Sequence, residues 1–300
     1  MEFSDCKMSR IKNMMKKDRL AYKAKENAAK PSLVSDDVLE TANFTFAKTM
    51  TEREGDSGQL LLAKRRTDHS EQYLVKHAFT DCAANEFVYT KLVQAMDYHM
   101  PDAKLFQLSP GEKRTCFKTE YIIGTKYLNV IDMCPDFDVI RSMAQNWQDF
   151  FGFRALYTML LEGDGMEVLL ADDGCIYRVD TSDAFTCNNR ILDNAGVDRL
   201  IQGVNLNTAI KNMLFSKNYD RLWNNASFNS DLQCCMDKYG NEYRDLYLKP
   251  FSQIQDIPDI YIDGFLNTLC YFYPDYIGDY YKLFIHALQN AASEYLRNSI

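Results

Sequence analysis

Long apolar runs, paired metal-ligand motifs and an overall surplus of positive charge are all missing from this 300-residue chain. Nothing in it approaches the roughly 18 consecutive apolar residues of a membrane span. The amino-terminal stretch "MEFSDCKMSRIKNMMKKDR" also lacks the apolar centre of a secretory signal. An aqueous, intracellular workplace is expected. The nine cysteines include no C-x-x-C pair, and Cys234 and Cys235 are adjacent, which suits a shared metal ion poorly. They are expected to be reduced thiols that mostly fill core. His69, His77, His99 and His286 show neither H-x-x-x-H nor H-E-x-x-H spacing, which argues against a zinc enzyme. A net charge of -8 argues against general nucleic-acid binding.

What is present is enough apolar material, 46% of residues, to fill two packed lobes. Charge is distributed unevenly. Residues 1 to 30 hold nine Lys/Arg, among them Lys7, Arg10 and Lys30, against four Asp/Glu, and so carry five surplus positive charges. The remainder is acidic. Met8, Ile11, Met15 and Tyr22 recur at near-helical spacing, so a basic helical extension is expected over 1–35, ended by the connector "KPSLVSDD". With Arg53 and Lys64-Arg65-Arg66, it offers a surface for a polyanion such as an inositol polyphosphate or an acidic phospholipid headgroup.

From residue 44 the texture becomes strand-like. "FTFAKTM", "QLLLAKRR", "QYLVKHAF", "AKLFQLS" and "RTCFKTEYII" are separated by turn-forming stretches such as "EREGDSG" and "SPGEK", the pattern of an antiparallel sheet. "DCAANEFVYTKLVQAMDYH" interrupts them as a helix with Asp81 as its N-cap candidate. "FDVIRSMAQNWQDFFGFRALYTMLL" reads as one long, centrally buried helix. The chain beyond about residue 190 reads as helices broken by Gly, Asn and Pro. The expected fold class is therefore α+β with two lobes: a β-rich lobe with one helix over 36–122, and a mostly helical lobe over 123–300.

The segment "EGDGMEVLLADDGCIYRVDTSDAF", Glu162 to Phe185, places an aspartate at each end of a strand, a tight Asp173-Gly174 turn and a second strand. Phosphoryl transfer needs a carboxylate beside the attacking hydroxyl and further carboxylates for a divalent cation. One such hairpin can supply both. The order of elements resembles the protein-kinase-like superfamily, and the hairpin resembles its atypical HipA-like and phosphoinositide-kinase-like branches. Over residues 44 to about 185, the resemblance implies a bilobal kinase-like fold using ATP and Mg²⁺ or Mn²⁺. It implies Lys76 in "YLVKHAF" as the phosphate-reaching lysine, held by Glu86 on the following helix. Backbone groups from Glu120 to Ile122 would meet the adenine edge. Asp164 would orient the acceptor hydroxyl, Asp180 would bind metal, and Asp183 would be a second ligand or turn-former. The sequence departs from the family pattern in three places. The Asp164-Gly165-Met166-Glu167 loop is about two residues short, the family's His and Asn are missing, and Glu167 stands where the metal-binding Asn would be. "TEREGDSGQ", where a phosphate-covering loop is expected, is acidic. The resemblance thus implies an atypical Ser/Thr protein kinase, of the kind a bacterium could secrete as an effector. The departures leave a pseudokinase, or a kinase of inositol lipids or small alcohols, as alternatives.

Overall fold

The computed structural model describes residues 36–48, 60–76, 80–108, 122–162, 165–182, 184–185, 228–273 and 275–299. Its first half is a six-stranded sheet: β1 (Val38–Glu40), β2 (Phe44–Lys48), β3 (Leu60–Arg65), β4 (Gln72–Lys76), β5 (Ala103–Gln107) and β6 (Ile122–Lys126), in the order β1-β5-β6-β4-β3-β2. One helix, α1 (Thr80–Ala95), enters between β4 and β5. The second half opens with a small sheet of β7 (Val130–Asp132), β8 (Glu167–Ala171) and β9 (Ile176–Val179). Helices α2 (Phe137–Met143) and α3 (Asp149–Met159) lie inside it in sequence, and α4 (Phe228–Tyr239), α5 (Arg244–Gln255), α6 (Asp259–Phe272) and α7 (Asp275–Ser299) follow it. This is the two-lobe α+β plan expected from the element order.

Four features depart from expectation. A strand that the residue pattern does not announce follows the connector "KPSLVSDD" directly, since β1 pairs in parallel with β5 through Val38↔Leu105. Three residues are too few to show an alternating pattern. The supposed long helix is two helices, because Ala144 leaves α2 in extended conformation and the next residues bond the hairpin instead. The Gln145 N–H donates to Gly174 O at 2.8 Å, and the Asn146 side chain brackets the Ile176 backbone at 2.8 and 3.0 Å. Finally, among the cysteines whose side chains are described, Cys134, Cys175, Cys234, Cys235 and Cys270, only Cys235 is buried, while Cys134 and Cys234 are exposed, so core filling is not the common role of these five. Asp81 lies one residue inside α1 rather than before it.

Two apolar clusters organise the packing. A small one, built on Phe44, Tyr73 and Phe106, covers one face of the first sheet. Phe106 sits over Gly124, where a Cβ would approach its ring within 2.5 Å. The main cluster runs from α1 through the helical half and includes the aromatic residues of α6 and α7, among them Phe265, Phe272, Tyr281 and Phe284. Helix α1 touches β5, β6 and α6, and every residue from Ala83 to Val93 is buried. That explains its weak amphipathic pattern: a helix enclosed on all sides has no solvent face to mark. Its buried Asn85, Glu86 and Lys91 must then be satisfied internally.

Gly152 of α3 marks another close approach, since a Cβ there would run into the ring of the buried Tyr98. Alanine gains about 1 kcal/mol of helix propensity, but overpacking costs about 1–3 kcal/mol. Gly152→Ala should therefore lower unfolding free energy by up to about 2 kcal/mol in urea titration, and adding Tyr98→Leu should recover part of the loss. An unchanged midpoint in the single variant would mean that the Tyr98 ring moves aside freely.

Candidate active site

Lys76 ends β4, Glu86 lies two turns into α1, and Asp180 follows β9. The fold brings the three together: Lys76 Nζ is 3.3 Å from Glu86 Oε1 and 2.8 Å from Asp180 Oδ1. Exposure grades across the cluster. The Glu86 side chain is 3% exposed, Lys76 16% and Asp180 50%, so the aspartate is the most open to an incoming ligand. Burial alone would pull the Lys76 ammonium down, but Glu86 and Asp180 more than offset it and hold it above its ordinary value. Burial raises the Glu86 carboxyl, which Lys76 only partly counters. Burial also raises Asp180, yet the charge and hydrogen bond of Lys76 outweigh this and hold it below the usual carboxylate range. Asp180 is thus the ionised, accessible member of the set.

The hairpin is shaped to deliver Asp180. Asp172, Asp173 and Gly174 form a three-residue loop in which Gly174 takes φ +77°, closed by the Ala171 N–H donating to Cys175 O. At the other end, α3 finishes in a Schellman motif: Leu161 N–H donates to Thr158 O and Glu162 N–H to Tyr157 O. The left-handed position, usually glycine, is Leu161 at φ +57°. Of four non-glycine residues with positive φ among those described, Leu161, Asp180 and Phe185 flank the hairpin, so backbone strain is concentrated there. Phe185 is held by its N–H donating to Leu160 O at 2.7 Å, with its ring packed between Tyr281 and Phe284.

Beneath the cluster lies a second set of charges. Arg178 and Glu162 are fully buried and form an ion pair. The other Glu162 oxygen accepts from the Tyr89 hydroxyl at 2.5 Å, and Arg178 Nη1 donates to the Glu167 carbonyl at 2.7 Å. Asn85 of α1 donates to Ser182 O at 3.0 Å and accepts from the Tyr281 hydroxyl at 2.5 Å.

No protein-family model matches the chain, and no curated protein matches it. Among solved structures it is similar to a Helicobacter pylori proinflammatory kinase, CtkA, with a TM-score of 0.41 and 12% sequence identity over 86% of this chain and 99% of that one. At that score the likeness carries no argument of its own.

The other expected site residues fall as follows. Exposed Glu167 opens β8 and faces Val179 across the hairpin, one position from Asp180. Asp164, Asp183 and Glu120 lie outside the described residues, as do Arg53 and the acidic stretch 51–59. Ile122 pairs with Phe106 as the first residue of β6, and that strand stays in the first sheet to Lys126, four residues past the expected lobe boundary. The crossing between sheets comes later. Tyr127 N–H still bonds Gln72 O in the first sheet, whereas Asn129 O accepts from Asp172 N in the second. Sequence reasoning passes over Arg178, Glu162, Asn85 and this crossing. An arginine in the same inward register as Ile176 is the available signal for Arg178.

Removing the cation isolates a buried carboxylate. Lys76→Met should cost about 3–5 kcal/mol at pH 8, because Glu86 loses its partner in a buried position. A carboxyl with a raised folded pKa binds more protons folded than unfolded, so its stability contribution grows as pH falls toward its ordinary value of 4.5. In the unsubstituted chain Asp180 is lowered and Lys76 raised, so neither titrates between pH 5 and 8, whereas in the variant Asp180 also loses the ammonium that lowers it and adds to the same trend. The deficit of Lys76→Met relative to the unsubstituted chain should therefore narrow between pH 8 and 5.5 in denaturant titrations. A gap independent of pH would mean that Glu86 is not the group left stranded.

Proposed function

We propose that this chain is an ATP-dependent phosphotransferase of atypical protein-kinase type, passing the γ-phosphate to a protein hydroxyl. The observation that carries this reading is the convergence of Lys76, Glu86 and Asp180 from a strand end, a helix and a hairpin end. A lysine gripped by a helix carboxylate beside a more open aspartate is what nucleotide phosphates and their cation require.

The residues present fit those groups. Lys76 has three N–H donors and gives two to carboxylates, which leaves one for a phosphate oxygen. Asp180 commits Oδ1 to Lys76 and is half-exposed, and Glu167 is paired across the hairpin with the residue before it, so the carboxylate oxygens at this end of the hairpin suit a hard cation such as Mg²⁺ or Mn²⁺. When bound, the cation supplies charge neutralisation at the phosphate oxygens. Glu86 keeps the Lys76 ammonium pointed into the site. The backbone of Tyr127 to Asn129, where the chain crosses between sheets, is the edge we assign to adenine. Asp164, close in sequence to the acid-lined mouth, is assigned to the acceptor hydroxyl and takes its proton. The acceptor oxygen then forms the new bond to the γ-phosphorus as the bond from that phosphorus to the ADP oxygen breaks. Asp183 is kept as an additional ligand. The proposed docking of a polyanion narrows: Arg65 is already paired with Glu71, and Arg66 donates to Ala42 O, while residues 1–35 and Arg53 lie outside the described residues.

Purified protein incubated with γ-labelled ATP and Mg²⁺ or Mn²⁺ should transfer label to protein. Asp180→Ala should cut that transfer by about a hundredfold or more while leaving the thermal midpoint near that of the unsubstituted chain. Transfer that persists in Asp180→Ala would remove the metal assignment. Absent transfer with an ATP-dependent midpoint shift would favour a nucleotide-binding pseudokinase.

A further inference from the structure

We propose that Arg178 and Glu162, backed by Tyr89, are positioning residues: a buried charged strut that holds the hairpin ends against α1 and so sets the geometry of Lys76, Glu86 and Asp180. This rests on reading that cluster as the phosphotransfer site.

The placement in sequence is the first argument. Arg178 precedes Asp180 by two residues, Glu162 precedes Asp164 by two, and Tyr89 follows Glu86 by three on a neighbouring position of the helix surface. Each strut residue is thus short-coupled to a residue assigned to the chemistry. The second argument is energetic. Arg178 is 0% and Glu162 1% exposed, and a fully buried ion pair generally adds little over apolar side chains of similar volume. Core stability alone therefore does not call for it. What apolar residues would not supply is direction. The planar guanidinium binds the Glu162 carboxylate at the end of α3, the Glu167 carbonyl at the start of β8 and the Val179 carbonyl at the end of β9. Glu162 passes the connection to α1 through Tyr89. Four segments are registered by one fork.

A third argument is charge. Arg178 favours the ionised forms of both Glu86 and Asp180, although less strongly than Lys76 does. Asn85, bonded to Ser182 O and to Tyr281, adds a parallel tie, so residues 85, 86 and 89 of α1 each reach the segments around the hairpin. The strut is the tie that joins both ends of the hairpin at once.

The test replaces the whole pair by apolar residues, Arg178→Met with Glu162→Leu, in the full chain. As a control, the remote and less buried Arg154–Asp231 pair, 2.5 Å apart, becomes Met and Leu in the same way. Two quantities are read in each folded variant: the acetylation rate of Lys76 by an amine-reactive reagent at pH 8, referenced to Lys91, and Mn²⁺ affinity with ATP by water-proton relaxation. The strut predicts that Lys76 labels several-fold faster and that Mn²⁺ binding weakens about 10–100-fold, with neither change in the control. Tyr89→Phe should move both readouts in the same direction by less. Labelling and affinity both equal to the unsubstituted chain, in a folded double variant, would overturn the proposal. If the unsubstituted chain binds no Mn²⁺ with ATP but Lys76 labelling still depends on the strut, the phosphotransfer reading falls and the positioning role stands. Should the double variant fail to fold, the isosteric Glu162→Gln replaces it under the same criteria.

Discussion

Glu86 is a carboxylate on a helix that is buried on every side. A charge in that position survives only if a cation reaches it, and the cation must come from outside the helix, since Ala83, Tyr89 and Thr90, the positions one turn away on α1, carry no positive charge. Lys76 is that partner, and its reach fixes the end of β4 against the second turn of α1. Asp180 then completes the charge balance from the hairpin side. The interaction therefore joins the first sheet, the central helix and the second sheet at one point, which is also the point where the molecule offers an ionised, half-exposed oxygen. A catalytic reading and a structural one converge here because the desolvation of Glu86 makes the pair obligatory while the exposure of Asp180 leaves it usable.

Much of this is legible in the amino-acid sequence. A lysine closing a strand pattern and a glutamate in the second turn of the next helix are both readable from the residues, and the family resemblance is what implies that they pair. The hairpin is legible too: Asp173-Gly174 between two apolar runs is a turn with a mechanism, and Gly174 takes the left-handed conformation the loop needs. That Asp180 would meet Lys76 is implied by a family resemblance, and the 2.8 Å contact is a tertiary fact that no local pattern encodes.

What is not legible has physical reasons. The break at Ala144 is imposed by bonds to the hairpin, and helix periodicity in "FDVIRSMAQNWQDFFGF" gives no notice of them. The strand Val38–Glu40 is too short to alternate and exists because β5 presents it an open edge. The crossing from the first sheet at Tyr127 is drawn toward Ile122 by the sequence because "EYII" looks like a strand end, whereas β6 continues through Gly124, whose missing side chain leaves room for the Phe106 ring. Arg178 escapes notice for the opposite reason: a charged residue between Tyr177 and Val179 reads as solvent-facing, although its register with Ile176 points it inward.

Charge accounting shows what the cluster demands of a ligand. Within it the positive groups are Lys76 and Arg178, and the acidic ones are Glu86, Glu162 and Asp180, before Glu167 at the mouth is added. Arg178 is committed to Glu162 and Lys76 to the other two, so with two positive groups against three acidic ones the cluster carries net negative charge, and Asp180 presents it at the most exposed position. A triphosphate brought there alone would meet like charge at the most exposed positions, and Lys76, shared between two carboxylates, could not compensate for it. A divalent cation changes the sign of that encounter: carboxylates that repel the phosphate then attract its counterion, and at short range in a partly desolvated cleft the gain is larger than the same pairing would give in water. On the phosphotransfer reading, the acidic mouth is therefore a requirement for metal to arrive with the nucleotide, and Glu167 in place of an amide strengthens that requirement.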